Sequence, residues 1–97
     1  MRHEVASEQD IREGRSLLVE VDGFPIALFK AGGKVYAMQD MCPHQATSLS
    51  EGEVEDCKVT CPGHGWQFDL KTGECINGAQ AQTFTVIVEN GKVFIEL

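Results

Sequence analysis

The sequence is poor in several things, and each shortage excludes something. It has no apolar run near the roughly 18 to 20 residues a membrane-spanning helix requires, so no membrane partner is expected. The N-terminal Met1-Arg2-His3-Glu4-Val5 lacks the charged-then-apolar layout of a signal peptide and has no twin arginine, which makes the cytoplasm the expected location. Lysine and arginine are scarce: 8 of them against 15 aspartates and glutamates leave a formal net charge of −7. That balance argues against a nucleic-acid partner, whose phosphates require a basic surface. There is no Ser/His/Asp set, no phosphate-binding loop and no spare histidine beside a carboxylate in a convincing motif, so no catalytic residue is expected. Internal repeats, low-complexity tracts and linkers are missing too. At 97 residues the chain suffices for one domain, taken as 1–97, and not for a second of ordinary size.

What is present is a series of short β-type runs separated by turn signals. Ser16-Leu17-Leu18-Val19-Glu20-Val21 stops at Asp22-Gly23 and Pro25-Ile26-Ala27-Leu28-Phe29 resumes at once. Asp-Gly between apolar runs signals a hairpin because both positions tolerate positive φ. Ala31-Gly32-Gly33-Lys34 repeats the arrangement before Val35-Tyr36-Ala37-Met38, and Asn90-Gly91 separates Phe84 to Glu89 from Lys92 to Glu96. Thr72-Gly73 marks a further turn after the run Trp66 to Leu70. Only Ser7 to Gly14 reads as helical, for one or two turns at most, with Ser7 as cap. The regular turn spacing predicts an antiparallel all-β protein, a sandwich or small barrel. Gln39 to Ser50 has no usable period and reads as a long structured loop, the kind of segment that carries function on a β scaffold.

Four cysteines in a short secreted chain would suggest two disulfides, whereas in a reducing compartment they point to metal or buried thiols. Spacing decides. Cys42-Pro43-His44 is followed, after sixteen intervening residues, by Cys61-Pro62-Gly63-His64. Each half puts one thiol and one imidazole on a tight turn, which brings metal ligands together with little backbone entropy left to lose. Gly63 and Gly65 permit close backbone approach and positive φ. A Cys2His2 zinc site uses the same ligand types, although zinc modules usually pair like ligands in each knuckle and here each half is mixed.

This pattern resembles the cluster-binding signature of Rieske proteins, in which two cysteines hold one iron and two histidines the other. Leu49-Ser50-Glu51-Gly52 after the first box, and Gly65-Trp66-Gln67-Phe68-Asp69 with Thr72-Gly73 after the second, fit the same resemblance. Similarity to the small Rieske ferredoxins runs over essentially the whole chain. It implies a Rieske-like antiparallel β-sandwich with a cluster-binding subdomain of two loops, at about residues 40–76. It also implies one [2Fe–2S] cluster per chain, with Cys42 and Cys61 on the inner iron and His44 and His64 on the outer one. Pro43, Gln45, Pro62 and Gly63 would then lie where partners dock. The implied role is a one-electron carrier, not an enzyme, shuttling electrons from a flavin-containing NAD(P)H reductase to a terminal oxygenase. Nothing in the sequence demands more than a monomer. Three alternatives stand beside this reading: a Rieske subunit of a larger reductase complex, a Rieske domain cut from an oxygenase, and a structural zinc module. The chain ends in a final strand with no catalytic portion, which favours a carrier over the second of these.

Other residues receive plainer readings. Cys57 and Cys75 match no ligand position and are expected in the core, with a labile disulfide as the alternative. His3 is an ordinary strand or surface histidine. Trp66 is expected to pack beneath the cluster loops, and Tyr36, Phe24, Phe29, Phe68, Phe84 and Phe94 are core candidates. Between Lys34 and Lys58 there is no lysine or arginine, while Asp40, Glu51, Glu53, Glu55 and Asp56 all fall there. That stretch reads equally well as a docking face for a basic partner or as a solvated edge. Asn77-Gly78-Ala79-Gln80-Ala81 lacks the proline that the resembled family often has in a third loop over the cluster.

Respiratory Rieske proteins carry two extra cysteines whose disulfide braces the loops; the matching positions here are Thr47 and Gly63, so that brace cannot form. The family's hydroxyl donors after the second box are also missing, Trp66 following Gly65. Fewer donors to sulfur leave a reduced, more negative cluster less stabilised. A potentiometric titration should therefore place the midpoint at the low end of the Rieske range, about −150 mV; a value well above zero contradicts this reading.

Overall fold

A computed structural model describes residues 2–43, 47–63, 65–75 and 78–97. Among the described residues, nine strands form two antiparallel sheets, as the turn spacing predicts. The larger has six strands in the order β1-β9-β8-β4-β3-β2, comprising β1 (Arg2–Ser7), β2 (Ser16–Val21), β3 (Phe24–Ala31), β4 (Lys34–Gln39), β8 (Thr83–Glu89) and β9 (Lys92–Glu96). It curls into a nearly closed barrel. The smaller sheet is β5-β6-β7, made of β5 (Glu53–Glu55), β6 (Lys58–Thr60) and β7 (Gln67–Asp69).

The hairpins form where local chemistry directs. Asp22 and Gly23 join β2 to β3 with φ of 52° and 80°, and Asn90 and Gly91 join β8 to β9 with φ of 51° and 76°. Consecutive left-handed residues match the twist of the flanking strands. The expected helical segment shrinks to one 3-10 turn, Glu8–Asp10, where the Ser7 N–H donates to Asp10 Oδ2 at 3.4 Å. Two strand pairs had no clear signal. β1 alternates poorly and shifts register between Glu4 and Ala6; it holds His3 opposite Ile95. The β5–β6 hairpin turns on Asp56 and Cys57, both at positive φ (52° and 60°) without a glycine between them.

The arrangement that positions everything else lies in β3 and β4. Ile26 and Leu28 of β3, with Val35 and Ala37 of β4, face one core together with Ile11, Val21, Val93 and Ile95. Ala27, Phe29 and Ala31, with Met38 and the partly buried Tyr36, face a second core. Adjacent strand residues point to opposite faces, so one near-continuous apolar strand serves both cores. The first fills the barrel; the second joins the barrel to the small sheet through Leu49, Val59, Phe68 and Leu70, and it contains Cys42 and Cys61.

Phe24 departs from its expected place in the core: it is 45% exposed and meets Phe84 edge-to-face at 6.0 Å. Standing directly after the Asp22-Gly23 turn, it reaches the rim of the barrel and not its interior. Phe29 and Phe68 are fully buried, whereas Phe84 and Phe94 are partly buried.

The segment that enters β5 packs tightly on β6 at Gly52. A Cβ there would lie 2.1 Å from the Thr60 carbonyl oxygen, a backbone atom that cannot swing away. Gly52→Ala should cost about 1–3 kcal/mol through overpacking, seen as a fall in Tm of roughly 5 °C or more in a thermal melt of a domain this small. An unchanged Tm would show that the two segments separate more freely than their packing indicates.

Candidate metal centre

Two loops converge on the second core. The first leaves β4 at Gln39 and returns at Ser48, where Met41 and Ser48 form an isolated antiparallel bridge. Its anchor is Asp40, a buried carboxylate. Asp40 Oδ2 accepts the Ser48 hydroxyl and Oδ1 accepts the Ser50 N–H at 2.9 Å, while its carbonyl accepts the Leu49 N–H at 2.6 Å. The Ser16 hydroxyl of β2 donates to the Ser50 carbonyl, tying the same segment to the barrel. Within the loop, the Cys42 N–H donates to the Thr47 carbonyl at 2.9 Å.

The second loop is closed by its own backbone. The Cys61 N–H donates to the Trp66 carbonyl at 2.7 Å and the Gly65 N–H to the Cys61 carbonyl at 2.9 Å. Gly65 adopts φ of 74°, which an L side chain resists. Trp66 is partly buried against the second core, as expected of a residue packing under these loops.

Cys42 and Cys61 are both buried in that one core, while the next residues outward, Pro43, Pro62 and Gly63, are exposed. His44, Gln45 and His64 lie outside the described residues, as does Asn77 of the third loop. No disulfide forms among the described residues. The two cysteines are linked through Thr47, whose hydroxyl Oγ1 lies 3.4 Å from Cys61 Sγ and whose carbonyl accepts the Cys42 backbone N–H. Buried thiols at the roots of two exposed turns, with a hydroxyl at one sulfur, are suited to binding as thiolates at the inner side of an iron–sulfur cluster.

Thr47 is the residue the sequence reading missed. In sequence it stands only where a brace-forming cysteine is missing, and the hydroxyl donors of the resembled family follow the second box. The contact joins positions fourteen residues apart, and nothing local announces it. Asp40 also differs from expectation: it was grouped with the acidic surface stretch, yet it is buried and supports the loop. Glu51, Glu53, Glu55 and Asp56 are exposed. Glu51 and Glu53 line a cavity of about 280 Å³ together with Thr60, Cys61, Pro62 and Gly65.

Cys75 is buried, as expected, and bridges Phe68. Cys57 meets that expectation in part: from the left-handed β5–β6 turn it is partly buried and packs against the second core. Burial first, then a hydrogen bond with the Cys57 thiol, pushes the Tyr36 hydroxyl above its ordinary pKa. The third loop lacks proline but is held by other means: the Cys75 N–H donates to the Ala79 carbonyl at 3.0 Å and the Ala81 N–H to the Gly73 carbonyl at 2.8 Å.

Residues 1–90 match the family model for the Rieske [2Fe-2S] domain. The chain belongs to the Rieske family. Among relatives of this Rieske chain, the 3-phenylpropionate/cinnamic acid dioxygenase ferredoxin subunit of Escherichia coli (strain K12) is 42% identical over 92 residues, covering 91% of this chain and 86% of that one. The ferredoxin component of the naphthalene 1,2-dioxygenase system of Pseudomonas putida is 35% identical over 97 residues, covering 97% and 93%. A solved complex of reduced oxygenase and oxidized ferredoxin in carbazole 1,9a-dioxygenase matches with a TM-score of 0.90 and 31% identity, over 97% of this chain and 91% of that one. These relatives are ferredoxin components of dioxygenase systems. A Rieske domain implies a [2Fe–2S] cluster. No helix among the described residues is long and apolar enough to cross a membrane.

Asp40 supports the first loop at three points, so its loss should be felt. Asp40→Ala would remove the carboxylate that the partly buried Ser48 hydroxyl and Ser50 N–H donate to, at a cost of about 1–3 kcal/mol. Thermal melts of this variant should show a lower Tm, with Asp40→Asn closer to wild type because its carbonyl oxygen still accepts. Equal stability of Asp40→Ala and wild type would mean that water replaces the carboxylate without penalty.

Proposed function

We propose that this chain is a one-electron carrier acting as one Rieske domain over 1–97, with one [2Fe–2S] cluster in a binding region at about residues 40–76. Cys42 and Cys61 bind the inner iron and His44 and His64 the outer one. The observation that carries this reading is the burial of Cys42 and Cys61 in one core beneath two exposed turns, in a chain of the Rieske family. When bound, the cluster supplies reversible exchange of a single electron, with no substrate pocket needed.

The chain's own residues do the rest. Cys42 and Cys61 fix the cluster to the rigid side of the domain, since both sit among packed apolar side chains. Trp66, Leu49 and Val59 share a core with Cys42 and Cys61 and would shield the bound thiolates from water. Pro43, Pro62 and Gly63 are exposed and form the contact through which a partner approaches, with Gln45. Electrons arrive from a flavin-containing NAD(P)H reductase and leave to a terminal oxygenase; the solved ferredoxin–oxygenase complex in the carbazole system supports the second partner by likeness. The protein works as a monomer in the cytoplasm, where thiols stay reduced.

Visible absorption and low-temperature EPR of the purified protein, before and after dithionite, test the reading. A red-brown protein that bleaches on reduction is expected, with an average g below that of an all-cysteine cluster because neutral imidazoles replace thiolates on the reducible iron. A colourless, EPR-silent protein carrying one zinc would overturn it in favour of a structural module.

A further inference from the structure

We infer that the Thr47 hydroxyl donates a hydrogen bond to the Cys61 sulfur of the bound cluster and thereby raises its reduction potential. The inference rests on the cluster assignment above and adds a residue that is not itself a ligand. Its geometric basis is the 3.4 Å separation between Thr47 Oγ1 and Cys61 Sγ.

In the metal-free protein either atom could donate. Once Cys61 binds iron it does so as a thiolate, which has no proton, so the hydroxyl must be the donor. The Cys61 N–H does not serve this purpose, since it is committed to the Trp66 carbonyl at 2.7 Å.

Thr47 is also held in place. Its carbonyl accepts the Cys42 N–H at 2.9 Å, and the following residue, Ser48, is fixed by its bridge to Met41 and by its hydroxyl bond to Asp40. The backbone that carries the hydroxyl is therefore held at the Thr47 carbonyl and at Ser48, which keeps the side chain within reach of the sulfur. Cys61 is fully buried and Thr47 partly so, which places the dipole where solvent screens it weakly.

The direction of the effect follows from charge. Reduction adds one negative charge to the cluster and its ligands. A donor aimed at a ligand sulfur stabilises the more negative state more than the oxidised one, and hydrogen bonds to the sulfurs are among the factors that set the potential of such clusters. Thr47 thus offsets part of the lowering expected from the missing donors after the second box.

The test compares potentiometric titrations of wild type, Thr47→Val and Thr47→Ser as purified cluster-bearing proteins. Valine keeps the shape of threonine without the hydroxyl; serine keeps the hydroxyl without the methyl. The Thr47→Val midpoint should fall below wild type while Thr47→Ser stays near it, both with wild-type visible spectra. Pulsed EPR of the reduced proteins in D2O supplies a second readout: an exchangeable deuteron coupled to the cluster should be lost in Thr47→Val and kept in Thr47→Ser. Thr47→Ala repeats the comparison should valine disturb the loop. An unchanged Thr47→Val midpoint, or a Thr47→Ser midpoint that falls as far, would overturn the role of the hydroxyl and leave the carrier reading intact. A wild-type protein without a cluster would sink the carrier reading, and this inference with it.

Discussion

The two-sided burial of β3 and β4 is the constraint on which the rest of the structure depends. From Ile26 to Phe29 and from Val35 to Met38, alternate residues of the ribbon belong to the barrel core and those between them to the core that contains the cysteines. Either core alone would leave one face of β3 exposed. Burying a large apolar side chain is worth about 1.5–3 kcal/mol, and Phe29, Met38, Leu49, Phe68 and Leu70 all contribute to the second core. A single intramolecular hydrogen bond contributes about 0.5–1.5 kcal/mol. Packing therefore holds the small sheet to the barrel, and hydrogen bonds decide the shape of the loops on top.

That division of labour explains how the described parts of the two loops are held together by hydrogen bonds. Asp40 fixes the return of the first loop through two carboxylate oxygens and a carbonyl. A buried carboxylate is costly unless its acceptors are used, and here the partners come from the loop it organises. The second loop closes on its own backbone between Cys61 and Trp66. Thr47 links the two at a position where the resembled respiratory proteins have a cysteine. The link is polar and reversible, where a covalent brace would need an oxidising compartment.

The acidic residues divide by role once their surroundings are known. Asp40 acts inside, whereas Glu51, Glu53, Glu55 and Asp56 remain on the surface of the small sheet and its approaches. Glu51 and Glu53 share a cavity with Cys61, Pro62 and Gly65, so part of the negative field lies beside the proposed docking turns and not on a remote edge. Fields of that kind act on encounter rates more than on fold.

The sequence by itself determined the strand pattern, the hairpins with glycine at their turns and the family, because these rest on local periodicity, turn chemistry and ligand spacing. Asp22-Gly23 and Asn90-Gly91 were legible since few residue pairs accept two left-handed conformations in a row. The Asp56–Cys57 hairpin was not, because two non-glycine residues adopt positive φ there only within the packed small sheet. Phe24 looked like core by type, but only the barrel's curvature decides which end of β3 is left at the rim. Cys42 and Cys61 were legible from their boxes, whereas the tertiary structure alone decided what surrounds them. Asp40 had to be folded back over Ser48 and Ser50 before its charge became structural. Thr47 had to be carried to Cys61, fourteen residues away, before its hydroxyl acquired a partner. Hydrogen bonds of this kind have no period and no composition; they exist only where two loops meet.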